Sequence, residues 1–520
     1  MSAAPPTDAA SLAAAARSPT AARNTYDETL RSTTLIGGVT VVGILLGAVR
    51  NKLTALWVGD VGFGLLGNYA SITNVVGVLA GMGVTSSGVR QIAQAAGTGD
   101  AAQLARTVKT LRRTALILGV LGTLLMLTLA RPLSLWMFDS AAHTTAFCLL
   151  SLTVLFTSVS GAQTALIQGT RRIKDLARLS LLGAVIGTAA SVPMIWAWRL
   201  DGVVPFLLTV SAATILTSWW FARRIKTLPG AVSWSETWTE AQSLLKLGLV
   251  MMSSGLMVQG VNCLTRAIVT HQLGLGPSGQ YHAAWVLSGL YVGSVLSAMG
   301  ADYFPRLAAV AEDNGRVNRY VNEQLEIGLI LSVPGILATV VFAPWVMKLF
   351  YSGEFGPAVD VLRWQILGVL LRVAAWPLGY VLIARAESWL FFWTEVGFNS
   401  LHLALVWFGI RYAGLPGTGL AFFLAYLIYF LAMIWILRHK IGFRFSAVNG
   451  RLMGLITPAI LALFVASSFL TPVGKVVVGG VTTIAVGLVC LHTLATLMPE
   501  KRILATYRRY EQRVLKLWRR

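Results

Sequence analysis

GFGLLGNY at residues 62–69 and GLGPSGQY at residues 274–281 carry one pattern, G-x-G-x-x-G-x-Y, twice (274 − 62 = 212). In isolation the glycines resemble the loop that cradles a dinucleotide pyrophosphate. That loop needs a preceding strand, a following helix and an acidic residue about twenty positions on. Here the upstream stretch STTLIGGVTVVGILLGAVRNKLTALWVG (32–59) is far too long for a strand. The downstream stretch GVLAGMGVTSSG (77–88) holds no carboxylate. The nucleotide reading fails on context, and the repetition becomes the informative feature.

More of the chain repeats with a similar offset. Met82-Gly83 is answered by Met299-Gly300 and Arg90 by Arg306, while LDGVVPFLL (200–208) corresponds to GTGLAFFLA (417–425). Between the members of each pair lie six apolar runs. Six is even, so the halves share one orientation and are parallel repeats. Each glycine segment falls between the first and second apolar run of its repeat, where glycine permits a tight turn and close helix approach.

The apolar runs decide the class. Of 520 residues, 56% are hydrophobic and only 12% charged, roughly half the charged share of a soluble domain. Fourteen runs are long enough to cross a bilayer: 33–58, 64–88, 114–136, 145–168, 178–198, 203–222, 245–270, 280–300, 325–347, 362–383, 389–410, 417–437, 453–471 and 475–496. The expected fold is an all-α polytopic membrane protein. Its expected parts are a disordered tail (1–31), an N-lobe of spans 1–6 (32–225), a C-lobe of spans 7–12 (226–440), spans 13–14 (441–497) and a basic amphipathic tail (498–520). No cleaved signal peptide is expected, because no short apolar segment with a cleavage site follows the first residues. Cys148, Cys263 and Cys490 all lie in apolar runs and are read as packing residues, so no metal or disulfide is expected.

The net charge of +21 could suggest nucleic acid, but its distribution argues otherwise. One alternate set of connections carries the clusters Arg106/Lys109/Arg112/Arg113, Arg171/Arg172/Lys174, Arg223/Arg224/Lys226 and Arg438/Lys440/Arg444; the other set offers only Arg131, Arg199, Lys348, Arg363, Arg411 and Lys475. The positive-inside rule then places both termini in the cytoplasm. An even number of spans requires the same. The final segment spaces Ile503, Tyr507, Tyr510, Val514 and Trp518 as one helical face opposite six cations, which suits a helix lying on an anionic leaflet.

Charges within the apolar runs are the functional signal. Arg50 and Lys52 lie in span 1, Arg266 in span 7 and Arg372 in span 10. At roughly 2.5–3.5 kcal/mol each, four uncompensated cations cost on the order of 10 kcal/mol. Only Glu395, in span 11, sits at comparable depth, and one carboxylate cannot neutralise four cations. A wet cavity that receives an anion would. Gln259, Asn262 and Arg266 share a helical face, as do Gln365, Arg372 and Trp376, and Glu395, Asn399 and His402. Arg50, Lys52, Arg266 and Arg372 are thus the expected anion-binding set. Asn51, Gln259, Asn262, Gln365, Trp376 and Asn399 are the expected polar lining, and Glu395 and His402 the candidate ion-coupling pair.

LLGAVRNKLTALWVGDVGFGLLGNYASI (45–72), followed by VLAGMGVTSSGVRQIA, resembles the start of the Wzx-type O-antigen and lipid-linked oligosaccharide flippases. These belong to the multidrug/oligosaccharidyl-lipid/polysaccharide (MOP) exporter superfamily. The resemblance runs over 32–437. It implies two six-helix lobes in a V, alternating access, no cofactor, and an undecaprenyl-pyrophosphate-linked oligosaccharide as substrate at the bacterial inner membrane. A monomer working beside a polysaccharide polymerase and other export proteins is the expected form. LLGAVRNKL also resembles the first helix of the lipid II flippases, where an Arg-Asp pair faces the cavity. Arg50 matches that arginine, while Asn51 stands in place of the aspartate. Spans 13 and 14 exceed the shorter Wzx pattern and line a lipid-tail groove in some relatives.

Three rival classes are weighed. A lipid II flippase shares the chemistry but loses the aspartate. A drug/cation antiporter on the same fold needs cavity carboxylates where this chain has arginines. A membrane glycan polymerase or ligase needs a long outward loop, and the outward loops here are short. No G-x-x-x-x-G-K-[ST] phosphate loop appears, so the expectation is a transporter driven by an ion gradient rather than an enzyme.

Overall fold

The computed structural model describes residues 19–225, 233–469 and 471–497. Among them every regular element is helical. The α-helices are α1 (Pro19–Gly81), α2 (Val84–Gly97), α3 (Ala101–Phe138), α4 (Thr144–Gly169), α5 (Ile173–Trp198), α6 (Val203–Ala222), α7 (Trp234–Leu273), α8 (Leu275–Ala308), α9 (Asn314–Phe350), α10 (Ala358–Ala384), α11 (Ser388–Ala413), α12 (Pro416–Ile441), α13 (Ala447–Phe469) and α14 (Pro472–Leu497). Ten stretches of the described residues are long and apolar enough to cross a membrane. Two of them, Val42–Gly81 and Ile173–Ala222, each hold two of the fourteen expected spans. The other two expected spans, 280–300 and 389–410, fall on helices α8 and α11, which are not among the ten. This is a multi-pass membrane protein.

Short sequence signals set the helix ends. Asp100 caps α3 by accepting from the amides of Ala102 (2.8 Å) and Gln103 (3.1 Å). Asp313 caps α9 through the Arg316 amide at 3.0 Å. These two caps stand at the repeat distance (313 − 100 = 213). Helix α12 opens on Pro416 and closes on left-handed Gly442, the asymmetry that proline's missing N–H and glycine's missing Cβ predict.

Two boundaries differ from expectation. Helix α1 begins at Pro19, so residues 19–31, expected as disordered tail, are helical. Proline at a first turn is pre-set for a helix, and extending an existing membrane helix avoids the cost of nucleation. The second expected span (64–88) breaks at Met82 (φ 43°) and Gly83 (φ 66°), and α2 starts anew at Val84. The tail at 498–520, expected as an interfacial helix, lies outside the described residues.

The chain forms two compact units, Met1–Asn51 with Tyr69–Gly260, and Lys52–Asn68 with Val261–Arg520. Within the first, α2 packs on α4, α3 on α4, α4 on α6 and α5 on α6, around Ile92, Leu111, Leu166 and Phe221. Within the second, α8 packs on α10, α9 on α10, α10 on α12 and α11 on α12, around Leu337, Val340, Leu362 and Val373. Every pairing of the first unit recurs in the second, six spans on. The parallel repeat is therefore present as packing as well as sequence. Helices α13 and α14 dock on α9, where the Cβ of any residue replacing Gly479 would overlap Val341.

The glycine motifs prove to be repeated in a different register from the one their spelling suggests. Helix α1 breaks at Gly59 (φ 65°) and the α7–α8 turn is Gly274 (φ 93°), which are 215 apart (274 − 59 = 215). On that register Gly64 is the counterpart of Gly279. These two pack on each other: a Cβ on Gly279 would lie 2.7 Å from the Gly64 amide nitrogen and inside the Asp60 carbonyl. A Cβ on Gly64 would lie 3.1 Å from the Gly279 amide nitrogen and inside the Leu275 carbonyl. Glycine recurs densely in membrane helices (50 here), so the spelled pattern matched three residues out of structural register.

Candidate functional site

In the second unit, the segment 52–68 and helices α7 and α8 build a buried polar cluster. Asn68 donates to Thr270 Oγ1 (2.8 Å), Thr270 donates to Ser278 Oγ (3.1 Å), and Ser278 donates to Asn68 Oδ1 (3.2 Å). One turn away Arg266 is 6% exposed. Its Nη2 lies 2.6 Å from His282 Nδ1, and its guanidinium lies 5.9 Å from the Tyr281 ring centroid. Arg266 Nη1 is buried without a hydrogen-bond partner among the described residues, and it faces Gly67, whose lack of a side chain makes the room. A buried guanidinium proton without an acceptor is costly, and no carboxylate lies within 4 Å of this arginine among the described residues.

Arg372 of α10 is half-buried and within electrostatic reach of Glu395 on α11 and Tyr426 on α12. It forms no ion pair among the described residues. Glu395 accepts a hydrogen bond from Tyr429 at 3.1 Å. Asn399 donates to the Glu395 backbone carbonyl at 2.8 Å. His402 lies between the rings of Phe398 (6.3 Å) and Phe422 (6.0 Å). Asn262 is half-buried on α7.

In the first unit Arg50 is half-buried with its guanidinium 5.8 Å from the Phe206 ring. Its Nε has no hydrogen-bond partner among the described residues, and Asn51 beside it is half-buried. The break at Met82-Gly83 opens a cavity of about 340 Å³ whose lining includes Thr73, Asn74, Ser86, Thr157, Ser158 and Gln259. The break also lets α7 approach, because a Cβ on Gly83 would overlap the Gly248 backbone.

Four expected residues are used differently. Lys52 donates to the carbonyls of Lys348 (2.6 Å) and Tyr351, so its ammonium caps the C-terminus of α9, where the helix dipole is negative. Gln365 is fully buried and accepts from Ser288 at 3.1 Å. Asn399 spends its amide on its own helix. Trp376 packs at a tilt against the rings of Tyr303 (5.8 Å) and Tyr380 (4.4 Å). In each case the group contacts a partner from the same unit, as burial favours, although Gln365 Nε2 is left without a hydrogen-bond partner among the described residues.

A family profile described as polysaccharide biosynthesis protein matches residues 58–360, more than half of the chain. The chain belongs to that family. This member is 24% identical over 405 residues to the lipid III flippase of Escherichia coli (strain K12), covering 75% of this chain and 94% of the relative. Among solved structures, the lipid II flippase MurJ in an inward closed conformation aligns with a TM-score of 0.67 at 14% identity, over 89% of this chain and 99% of its own. An inward-facing multidrug resistance MATE family transporter of the MOP superfamily aligns at 0.62 and 16% identity, over 79% and 98%. At such identities the structural likeness shows the fold alone, which this chain shares with both solved structures.

Sequence reasoning passed over Thr73, Asn74, Thr157 and Ser158 of this family member, because single hydroxyls and amides are common in membrane helices. Their shared signal is that each lies on a span of the same repeat as the broken Met82-Gly83. The capping role of Lys52 carries a prediction. Lys52→Met keeps the aliphatic stem but frees two carbonyls, and should cost about 1–2 kcal/mol of stability, read as a lower melting temperature in detergent. An unchanged melting temperature would mean that water serves those carbonyls equally well.

Proposed function

We propose that this protein is a non-hydrolytic flippase that carries an undecaprenyl-pyrophosphate-linked oligosaccharide from the cytoplasmic to the periplasmic leaflet of a bacterial inner membrane. Both termini are cytoplasmic in this reading. The observation that carries it is the presence of Arg50, Arg266 and Arg372 at membrane depth with no carboxylate within 4 Å among the described residues, in a polysaccharide biosynthesis fold. An anion must offset cations that the protein leaves unpaired, and a pyrophosphate supplies it with oxygens that match guanidinium geometry. The prenyl chain stays in lipid, and neutral polar groups such as those around the 340 Å³ cavity receive the sugars. The lipid III flippase relative supports a lipid-linked glycan as cargo. An ion gradient drives the cycle, with Glu395, hydrogen-bonded to Tyr429, as the coupling carboxyl.

The test is flipping of a fluorescent prenyl-pyrophosphate oligosaccharide in vesicles with and without an imposed proton or sodium gradient. Wild type should flip it, faster with the gradient, and the Arg50→Gln/Arg266→Gln/Arg372→Gln triple variant should be at least about tenfold slower. Equal rates in wild type and the triple variant would overturn the reading. Flipping of lipid II in preference to the oligosaccharide would move the substrate to that class, which Asn51 disfavours. Export of organic cations would move it to antiport.

A further inference from the structure

A second basic cavity lies wholly within the first unit, away from the arginines considered above. It measures about 580 Å³ and is lined by Arg112 of α3, Gln163 of α4, and Trp219 and Arg223 at the end of α6, over an apolar floor that includes Leu116 and Val159. We propose that this cavity binds the headgroup of an anionic phospholipid, with its phosphate between the two guanidinium groups.

Four features point that way. First, the charges are unmatched: the lining holds two arginines and no carboxylate, and Arg112 forms no hydrogen bond or ion pair among the described residues. Second, the donors are arranged. The Arg223 guanidinium is held 4.6 Å from the Trp219 ring and 3.9 Å from the Trp220 ring, so it is ordered before any ligand arrives. Gln163 Oε1 accepts from Ser218 at 2.5 Å, which leaves the Gln163 amide N–H groups to donate into the cavity. Third, the position suits a headgroup. Both arginines belong to connections that the charge distribution assigns to the cytoplasm, and Trp219 and Trp220 are 50% and 46% exposed, as tryptophans at a membrane interface are. Fourth, acyl chains have a surface to follow: Leu116 and Leu216, on the same helices, are 52% and 63% exposed. Arginines that merely snorkelled to water would need neither the concave wall nor the stacked ring. A basic pocket between membrane helices on the cytoplasmic side is the usual form of an anionic headgroup site.

The experiment uses the full chain, purified in neutral detergent and stripped of lipid, with bound phosphatidylglycerol or phosphatidylcholine counted by native mass spectrometry. Saturable binding of phosphatidylglycerol, weak binding of phosphatidylcholine and a loss of about tenfold or more in Arg112→Gln/Arg223→Gln are expected. Lys174→Gln/Arg178→Gln removes two exposed cations of the same side and should leave binding unchanged. Arg112→Lys/Arg223→Lys keeps the charge but loses the planar fork, and should fall between wild type and the glutamine pair.

Equal loss in the lysine-174 control pair would reduce the site to diffuse charge. Equal binding of phosphatidylcholine would reduce it to an apolar groove. Displacement of phosphatidylglycerol by inorganic pyrophosphate would identify a soluble phosphate site instead. Preference for a prenyl pyrophosphate would make it an entry point for the flipped lipid. Each result overturns the proposal, and none depends on whether the protein transports.

Discussion

Gly279→Ala should destabilise the protein by about 3 kcal/mol and abolish transport, although it adds a single methyl group. The new carbon would enter the Asp60 carbonyl and stand 2.7 Å from the Gly64 amide nitrogen. Both neighbours are backbone, so no side chain can swing aside, and the helices themselves must separate. Overpacking of this kind costs about 1–3 kcal/mol and sometimes more. Gly64→Ala meets the Leu275 carbonyl in the same way and should behave alike. Gly77→Ala and Gly97→Ala, where a Cβ would find nothing within 4 Å, are the controls and should melt like wild type, or slightly higher because alanine favours helix. Thermal melting by size-exclusion fluorescence reads the difference. A Gly279→Ala variant as stable as Gly77→Ala would show that the reciprocal glycine contact does not hold these helices together.

Arg266→Gln should slow flipping about tenfold to a hundredfold without lowering stability. A hydrogen bond to a charged group is worth about 1.5–3 kcal/mol, and each 1.4 kcal/mol is a factor of ten. Stability should be unchanged or raised, since the substitution removes a buried cation that no carboxylate offsets. The split matters. A structural arginine would lose stability and transport together, whereas an arginine kept for an anionic cargo loses transport alone. Gly67→Ala offers a second view: it keeps the charge but fills the space that Arg266 Nη1 faces, and should slow transport in the same sense. Normal transport by Arg266→Gln would remove Arg266 from the cargo path and return it to packing between His282 and Tyr281.

The candidate site was only partly legible. Arg50, Arg266 and Arg372 stood out because charge within a long apolar run is rare and costly, a property of composition and spacing. Lys52 stood out for the same reason, yet its ammonium reaches the carbonyls of Lys348 and Tyr351, nearly three hundred positions away, and no local pattern encodes that encounter. Gln365 likewise read as cavity lining from its helical face, but that face meets Ser288. His402, a candidate for ion coupling beside Glu395, has its ring between Phe398 and Phe422.

By itself, the sequence determined that the chain is helical, that it spans the membrane many times and that it is duplicated; fourteen spans were expected where ten stretches of the described residues qualify. Apolar length answers to bilayer thickness, and a parallel repeat survives as matched caps such as Asp100 and Asp313. What only the tertiary structure decided is the register of that duplication and the partner of each buried polar group. Gly64 meets Gly279, and Gly83 meets Gly248, because backbones approach this closely where no Cβ stands between them. A one-dimensional spacing cannot say which of fifty glycines will be brought together, since that choice is made by helix packing over the whole chain.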